Sequence, residues 1–299
     1  MLKHQNQARN IQRQQCPVCC NSDMMIFFQA ESLPVFCNVL WANRTKAMAA
    51  PLSKIHLAYC NECGLLYNVA FDQTIMQYSV AYENSLHFSQ RFQQWAKDTA
   101  GRLSRQYQLY DKDIIEIGCG QGDFLEILQR LGNNRVLGFD PSYKPEQTAP
   151  NVDKPAITII PEAYSEVPGN YPADFICCRH VLEHIARPLE FLKSIRSSID
   201  QQKNCVVYFE VPNALYSLEH LGLWDIIYEH CSYFTSESLA NLFLRAGFEP
   251  IEIAERYDGQ FLTIEAQPRH DDVKPVSNSK WEVTNIRHLI DNFQKVYRQ

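Results

Sequence analysis

Between residues 89 and 107, apolar residues recur every three or four positions. An α-helix turns once in about 3.6 residues, so side chains at this spacing lie on one face. The pattern predicts an amphipathic helix from Ser89 to about Tyr107. Its apolar face consists of Phe92, Trp95, Ala96, Ala100 and Leu103. The polar and aromatic stretch from Tyr82 to Ser89 has neither a helix nor a strand period, and we expect a loop over a site there.

From residue 113 onwards, short apolar runs alternate with helical patterns. DIIEIG predicts a buried strand, DFLEILQRLG a helix that ends at Gly132, and RVLGFD a second strand. Further elements are predicted within ITII (157–160), ADFICCRHVLEHI (173–185), NCVVYFEVPN (204–213), the helical SESLANLFLRAGF (236–248) and the two-stranded PIEIAERYDGQFLTIEA (250–266). Strands that alternate with helices are typical of an α/β fold with a parallel sheet.

The turn after the first of these strands contains Gly118, Gly120 and Gly122. Glycine allows the backbone to approach a ligand closely and to adopt positive φ. Asp140 ends the next strand, 22 positions after Gly118, which is about the spacing at which an acid binds the two ribose hydroxyls of a nucleotide cofactor. The turn therefore predicts a nucleoside-binding site.

The form of this turn favours S-adenosylmethionine over a dinucleotide. Its G-x-G-x-G spacing differs from G-x-G-x-x-G, and no phosphate-binding lysine follows. Glu116, two residues before the first glycine, is suited to a cationic ligand. S-adenosylmethionine carries an ammonium and a sulfonium centre and no phosphate.

Two C-x₂-C pairs are found near the amino terminus, and 40 residues lie between them. Cys16 and Cys19 form the first pair, and Cys60 and Cys63 the second. Four thiolates complete a tetrahedral zinc site that has no open position for water, so the predicted ion is structural. Buried ordinary thiols are the alternative.

Composition narrows the classes of function. The chain has 299 residues with a net charge of -6, and it lacks the large basic block of a nucleic-acid-binding protein. No apolar run approaches a membrane span, and the polar start is no signal peptide. Eleven cysteines without such a signal indicate a reducing cytoplasm.

The glycine turn and the elements around it resemble motif I and the core of the class I S-adenosylmethionine-dependent methyltransferases. The resemblance implies a Rossmann-like sheet of seven strands with a terminal antiparallel hairpin, here preceded by a small zinc-binding domain. It also implies that Glu162 lies near the adenine and His180 near the methionine part of the cofactor. For His180, a purely structural role fits equally well.

Nearly the whole chain resembles the C-methyltransferases of antibiotic deoxysugar pathways. The segments that carry this resemblance are the zinc knuckles, YENSLHFS, HVLEHI and WDIIYEHCSYF (224–234). It implies His230 as the base, beside Glu229, with His184 and Tyr82 as further catalytic residues. Ile227 stands where these enzymes usually have a tyrosine, and Tyr228 is one position away. Family members often continue into a second Rossmann-like domain, and this chain ends about where that domain would begin.

The chemistry of such a site can be argued from the residues themselves. A proton beside a ketone is acidic enough for a histidine base, and the resulting enediolate needs donors, for which His184 and Tyr82 are the candidates. Three other interpretations stay open: a zinc-ribbon RNA methyltransferase, a non-catalytic S-adenosylmethionine-binding protein, and an O- or N-methyltransferase on another small molecule. Each histidine named here also fits a structural role.

These inferences predict four segments. They are a zinc-binding domain (1–75), a helical connector with a site loop (76–110), the methyltransferase core (111–270) and a helical extension (271–299). The expected partner is a small-molecule acceptor such as a nucleotide-linked keto sugar, with neither nucleic acid nor membrane, and the sequence leaves the oligomeric state open.

Overall fold

A seven-stranded sheet forms the centre of the molecule. The computed structural model describes residues 15–37, 39–76, 89–144, 157–164, 171–200, 204–269 and 286–297. The strands of the sheet are, in chain order, β4 (Asp113–Ile117), β5 (Arg135–Phe139), β6 (Thr158–Ile160), β7 (Phe175–Arg179), β8 (Val206–Pro212), β10 (Phe248–Arg256) and β11 (Phe261–Pro268). Their spatial order is β10-β11-β8-β7-β4-β5-β6. Five strands are parallel, and β11 is antiparallel to both of its neighbours.

Helices cover both faces of this sheet because successive strand residues alternate between two apolar clusters. Ile115 and Cys178 belong to one cluster, whereas Ile114 and Cys177 belong to the other. The helices are α2 (Gln90–Gln106) and α3 (Asp123–Gly132) on one face, and α4 (Pro188–Ser198) and α6 (Ser236–Arg245) on the other. This doubly covered sheet with an antiparallel terminal hairpin confirms the predicted class I methyltransferase fold.

A smaller, four-stranded antiparallel sheet lies beside the large one. It consists of β1 (Met24–Pro34), β2 (Leu52–Cys60), β3 (Leu66–Asn68) and β9 (Ser232–Tyr233), in that order. The fourth strand comes from a distant part of the chain, between β8 and α6. The two sheets are therefore joined by a shared segment, and β9 pairs through Leu66↔Tyr233 and Tyr67↔Ser232.

The described part of the chain also contains three further α-helices, α1 (Arg44–Met48), α5 (Ala214–Glu219) and α7 (Ile286–Tyr297), and two 3₁₀ turns, Gln73–Ile75 and Leu182–His184. Helix α7 packs on β1, where the fully buried Phe293 makes edge contacts with Phe27 and Phe28. Within the described ranges, no helix combines the length and the apolar character that a membrane crossing needs.

Candidate active site and cysteine cluster

The two cysteine knuckles have the same backbone geometry. The amide of Cys20 donates to the carbonyl of Cys16, and the amide of Gly64 donates to that of Cys60, both at 3.0 Å. Cys20 and Gly64 both have positive φ, 60° and 75°. Each knuckle is thus a tight turn whose fifth residue is left-handed, a conformation that glycine adopts most easily. Cys20 is exposed and lies outside the cluster of four.

The four cysteine sulfur atoms converge as the spacing predicts. Cys16 Sγ lies 3.5 Å from Cys63 Sγ, and Cys19 Sγ lies 3.5 Å from Cys60 Sγ. All four lie within 4.8 Å of one another. A tetrahedral ion with bonds of about 2.3 Å would hold its sulfur ligands about 3.8 Å apart, so the cluster fits zinc.

The contact with Cys63 lowers the pKa of Cys16, and the backbone amide of Val18 acts in the same direction. Burial raises the pKa of Cys19, and the amide of Asn21 opposes that shift. A lower pKa favours the thiolate, which is the form of cysteine that binds a metal.

The glycine turn joins β4 to α3, and all three of its glycines have positive φ. A Cβ at Gly118 would lie 2.1 Å from Val181 Cγ2, and one at Gly122 would lie 2.4 Å from Ile157 Cδ1. Among the described residues, a Cβ at Gly120 would meet nothing within 4 Å. Packing therefore requires glycine at the outer two positions, whereas no described residue fills the space beside Gly120.

Asp140, directly after β5, holds this turn. Its Oδ2 accepts from the amide of Gly120 at 2.7 Å, and its Oδ1 accepts from the amide and hydroxyl of Ser142 at 2.7 and 2.6 Å. A carboxylate has about four lone-pair sites, so capacity for a ligand remains. The glycine turn and Asp140, which their spacing in the sequence links, are therefore in direct contact.

Glu116 lies beneath the turn and is 3% exposed. Burial raises its pKa to about 8. The charge of Arg179 opposes this shift, whereas Asp140, Asp123 and Glu210 reinforce it. Its Oε2 has no hydrogen-bond partner among the described residues. An unpaired buried carboxyl is costly, and a cation beside it would relieve that cost.

The 3₁₀ turn Leu182–His184 follows β7 and borders the glycine turn, because Val181 occupies the space beside Gly118. It is also tied to the segment that contains His230, since the amide of Cys231 donates to the carbonyl of Glu183 at 2.8 Å. The ring centroids of His184 and His230 lie 4.8 Å apart. The structure therefore brings these two predicted histidines together.

Backbone carbonyls fix the proton on each of these rings. Nδ1 of His184 lies 3.0 Å from the carbonyl oxygen of Glu229, and Nδ1 of His230 lies 2.8 Å from that of Asp225. A carbonyl oxygen only accepts, so Nδ1 carries the proton and Nε2 carries the lone pair. Burial lowers the pKa of His184 to about 4 and that of His230 well below its usual value. Both rings are therefore neutral at pH 7.

The remaining predicted residues have different surroundings. The side chain of Glu229 is fully buried, and its carbonyl contacts His184, whereas the Nδ1 partner of His230 is Asp225. Glu162 is exposed beyond the end of β6. Tyr82 lies outside the described residues.

His180 belongs to a buried network that the sequence analysis missed. Its Nε2 lies 3.0 Å from Glu210 Oε1 and its Nδ1 lies 3.8 Å from Glu183 Oε1. Glu210 also accepts from Arg179, Trp95 and Tyr208. Burial opposes ionisation of Glu210, but the charge of Arg179, the nearby ring of His180 and the hydrogen bond from Tyr208 outweigh it and lower the pKa to about 2. The sequence feature that could have indicated this network is Glu210, an acid inside the apolar run VVYFEVP.

Glu183, like Glu210, was not predicted as a site residue, although it lies beside His184 in HVLEHI. It is 2% exposed, and burial, opposed by the charge of His180, raises its pKa to about 7. Its Oε2 has no hydrogen-bond partner among the described residues. Ligand atoms of Glu183, His184 and His230 all lie within 4.8 Å of one another.

Similar proteins include methyltransferases of several kinds. The chain is 23% identical over 274 residues to "C-methyltransferase NovU" of Streptomyces niveus, covering 87% of this chain and 63% of that protein. It is 32% identical over 93 residues to a ubiquinone biosynthesis O-methyltransferase of Colwellia psychrerythraea, covering 28% and 36%. The chain thus spans less than two thirds of the length of these relatives.

Solved structures with a similar chain include magnesium protoporphyrin IX methyltransferase (ChlM) from Synechocystis PCC 6803 with bound SAH. The TM-score is 0.48 at 16% identity, covering 64% of this chain and 91% of that one. A second is the 1,6-didemethyltoxoflavin-N1-methyltransferase of Burkholderia thailandensis, with a TM-score of 0.48 at 14% identity and coverage of 71% and 99%.

A family model described as "Methyltransferase domain" matches residues 87–253. This range is more than half of the chain. It includes the glycine turn, Asp140, His184 and His230. Together with a seven-stranded sheet that has the expected terminal antiparallel hairpin, the match shows that the chain belongs to the methyltransferase domain family.

Proposed function

We propose that the protein is an S-adenosylmethionine-dependent methyltransferase that methylates a carbon beside the ketone of a small acceptor. The observation that carries the proposal is the contact, through Gly118 and Val181, between the glycine turn and the 3₁₀ turn Leu182–His184, called the histidine turn from here on. A cofactor on the first turn and an acceptor at the second would lie side by side. The relative named as a C-methyltransferase, which matches most of the chain, supports this choice.

The cofactor residues proposed are those of the glycine turn and its neighbours. S-adenosylmethionine, when bound, would supply an electrophilic methyl group on a sulfonium centre. No described residue fills the space beside the backbone of Gly120, Asp140 would accept the ribose hydroxyls, and Glu116 would face the ammonium group. Glu162 and His180 are proposed for the adenine and methionine ends. The open backbone and the unpaired Oε2 of Glu116 both fit such a ligand.

His230 is proposed as the base. Its Nε2 lone pair would take the proton from the carbon beside the ketone, and the C–H electrons would pass into the enolate, whose carbon would receive the methyl group that the cofactor supplies. The proton would then leave from Nε2 of His230. Glu229 would hold His184 through its carbonyl, and the neutral His184 would accept a hydrogen bond from an acceptor hydroxyl through Nε2. Tyr82 is proposed as a donor to the enolate oxygen.

Methylation of a hydroxyl oxygen is the second candidate. Two imidazole lone pairs at one place are suited to accepting hydroxyl protons, and a relative named as an O-methyltransferase is 32% identical over 93 residues. A nucleotide-linked keto sugar is the proposed acceptor in the first case, and a small molecule with a free hydroxyl in the second.

The proposed zinc site can be tested by metal content. We expect one equivalent of zinc after dialysis against a mild chelator, and Cys16→Ser should lose it and lower the melting temperature because the ion holds the small sheet. Cys20→Ser is the matched control, since Cys20 belongs to the same knuckle but is exposed. Less than about half an equivalent in the wild-type protein would count against the site.

Asp140→Ala should weaken binding of S-adenosylhomocysteine by about 1.5–3 kcal/mol, the scale of hydrogen bonds to a charged group. Calorimetry measures the effect. Ser142→Ala is the control, because it removes a hydroxyl bonded to Asp140 and leaves the carboxylate in place. Unchanged affinity in Asp140→Ala would refute the ribose assignment.

Glu116 should release a proton when the cofactor binds. With a pKa of about 8 the carboxyl is mostly protonated at pH 7, and a nearby ammonium favours the carboxylate, so the pKa falls. Calorimetry at pH 7 in buffers of different ionisation enthalpy should report up to about one proton released per site. Glu116→Gln should abolish this release and the exposed Glu190→Gln should keep it. Equal heats in all buffers for the wild type would contradict the assignment.

His230→Asn should keep cofactor affinity and lose turnover by about 10²–10⁴-fold, the usual contribution of a general base. It should also abolish exchange of the acceptor's α-proton with deuterated water in the presence of S-adenosylhomocysteine. The control is His220→Asn, because His220 is exposed and also directs Nδ1 at a backbone carbonyl. Full exchange in His230→Asn would remove His230 as the base. Methylated oxygen in the product, without exchange in the wild type, would select O-methylation.

A further inference from the structure

Three side chains that can bind a metal meet beside the 3₁₀ turn Leu182–His184. The neutral rings of His184 and His230 present Nε2 lone pairs, because carbonyl oxygens fix both Nδ1 protons. The carboxyl group of Glu183 is the third, with Oε2 lacking a hydrogen-bond partner among the described residues. One possible ligand atom of each side chain lies within 4.8 Å of those of the other two. Whenever Glu183 is ionised, lone pairs and a negative charge at one buried place repel one another unless a cation or a donor lies between them.

We propose that Glu183, His184 and His230 form a second metal site, for a divalent transition-metal ion, separate from the four cysteines. Two imidazole nitrogens and one carboxylate oxygen suit zinc, iron(II), cobalt(II) or nickel(II) better than magnesium or calcium, which prefer all-oxygen sites. Bonds of about 2.0–2.2 Å would draw the three atoms to about 3.4 Å of one another.

The surroundings of the three ligands are those that a metal site requires. Histidines that bind metals almost always donate their other ring N–H to a carbonyl or a carboxylate, and here both donate to carbonyls. The other carboxyl oxygen of Glu183, Oε1, also has a neighbour, because it lies 3.8 Å from Nδ1 of His180. The backbone of the site is fixed as well, by the bond between the amide of Cys231 and the carbonyl of Glu183.

The bound ion blocks methyl transfer. It occupies the Nε2 lone pair of His230, so the ring cannot take a proton from the acceptor. This consequence rests on the proposed role of His230 as the base, whereas binding of the ion does not. Methyl transfer is thereby sensitive to the concentration of free transition-metal ions.

Cobalt(II) is the probe for the site. Protein whose cysteine cluster is filled with zinc should bind one equivalent of cobalt and show ligand-field bands without a thiolate-to-metal charge-transfer band. Glu183→Gln and His184→Asn should each weaken this binding by more than about 100-fold, since loss of a residue that only hydrogen-bonds to a metal ligand costs about 10–100-fold. His220→Asn and Cys20→Ser should bind cobalt like the wild type. Binding of S-adenosylhomocysteine checks that each variant is folded.

Absence of the cobalt equivalent, or binding that both ligand variants retain, overturns the site and leaves the proposed methyl transfer untouched.

The blocking effect is tested by the rate of α-proton exchange at increasing cobalt concentration. For each variant, the rate is expressed relative to that of the metal-free protein. Exchange should fall as the site fills and return with chelator, and the fall should move to higher cobalt in Glu183→Gln. Unchanged or faster exchange at full occupancy overturns the blocking effect. Failure of the base itself is detected separately, by exchange in metal-free His230→Asn.

Discussion

The pairing of β3 with β9 is the contact on which the rest of the arrangement depends. β3 begins three residues after Cys63, and β9 begins two residues after His230. A short antiparallel ladder therefore connects the cysteine cluster to the proposed base. On its other side, the same segment is held by the carbonyl of Glu183. The position of His230 is thus determined by the small sheet and the large sheet together, and the proposed zinc ion acts on the site through β3.

Buried carboxylates at the end of the large sheet differ in how far they are satisfied. Glu210 receives hydrogen bonds from Arg179, Trp95 and Tyr208 and stays ionised. Among the described residues, Glu116 and Glu183 each have one oxygen without a hydrogen-bond partner, and burial raises the pKa of both. An ionised and saturated group stabilises the fold, whereas an unsaturated one retains capacity for a ligand. Glu116 lies beneath the glycine turn and Glu183 lies on the 3₁₀ turn Leu182–His184, the two places at which ligands are proposed.

Local patterns in the sequence predicted much of the fold. The predicted helix DFLEILQRLG matches α3 residue for residue, and the helix expected from Ser89 to about Tyr107 is α2, for which Ser89 is the N-cap. Spacing alone also predicted which four cysteines meet. These features depend on residues near one another in the chain, and helical periodicity and knuckle geometry report such contacts directly.

Contacts between distant segments could not be read from the sequence. Two residues are too few to show a strand period, so β9 was not predicted, nor was its position beside β3. The sequence suggested His184 as a donor, but only the carbonyl of Glu229, 45 positions away, reveals that its free nitrogen is an acceptor. Likewise Glu183 and Glu210 looked like an ordinary turn residue and an ordinary strand residue until the fold placed them around His180.

The docking of α7 on β1 has a consequence for the order in which the protein matures. Amino-terminal parts of a chain usually fold first during synthesis. Here the small sheet acquires its fourth strand only after residue 233 is made, and Phe27 and Phe28 are covered only after Phe293. A ribosome-bound chain can assemble the cysteine cluster early, yet its small sheet keeps an open strand edge, and these two rings lack their contact with Phe293, until the later residues are made. The small sheet is therefore begun early and completed late.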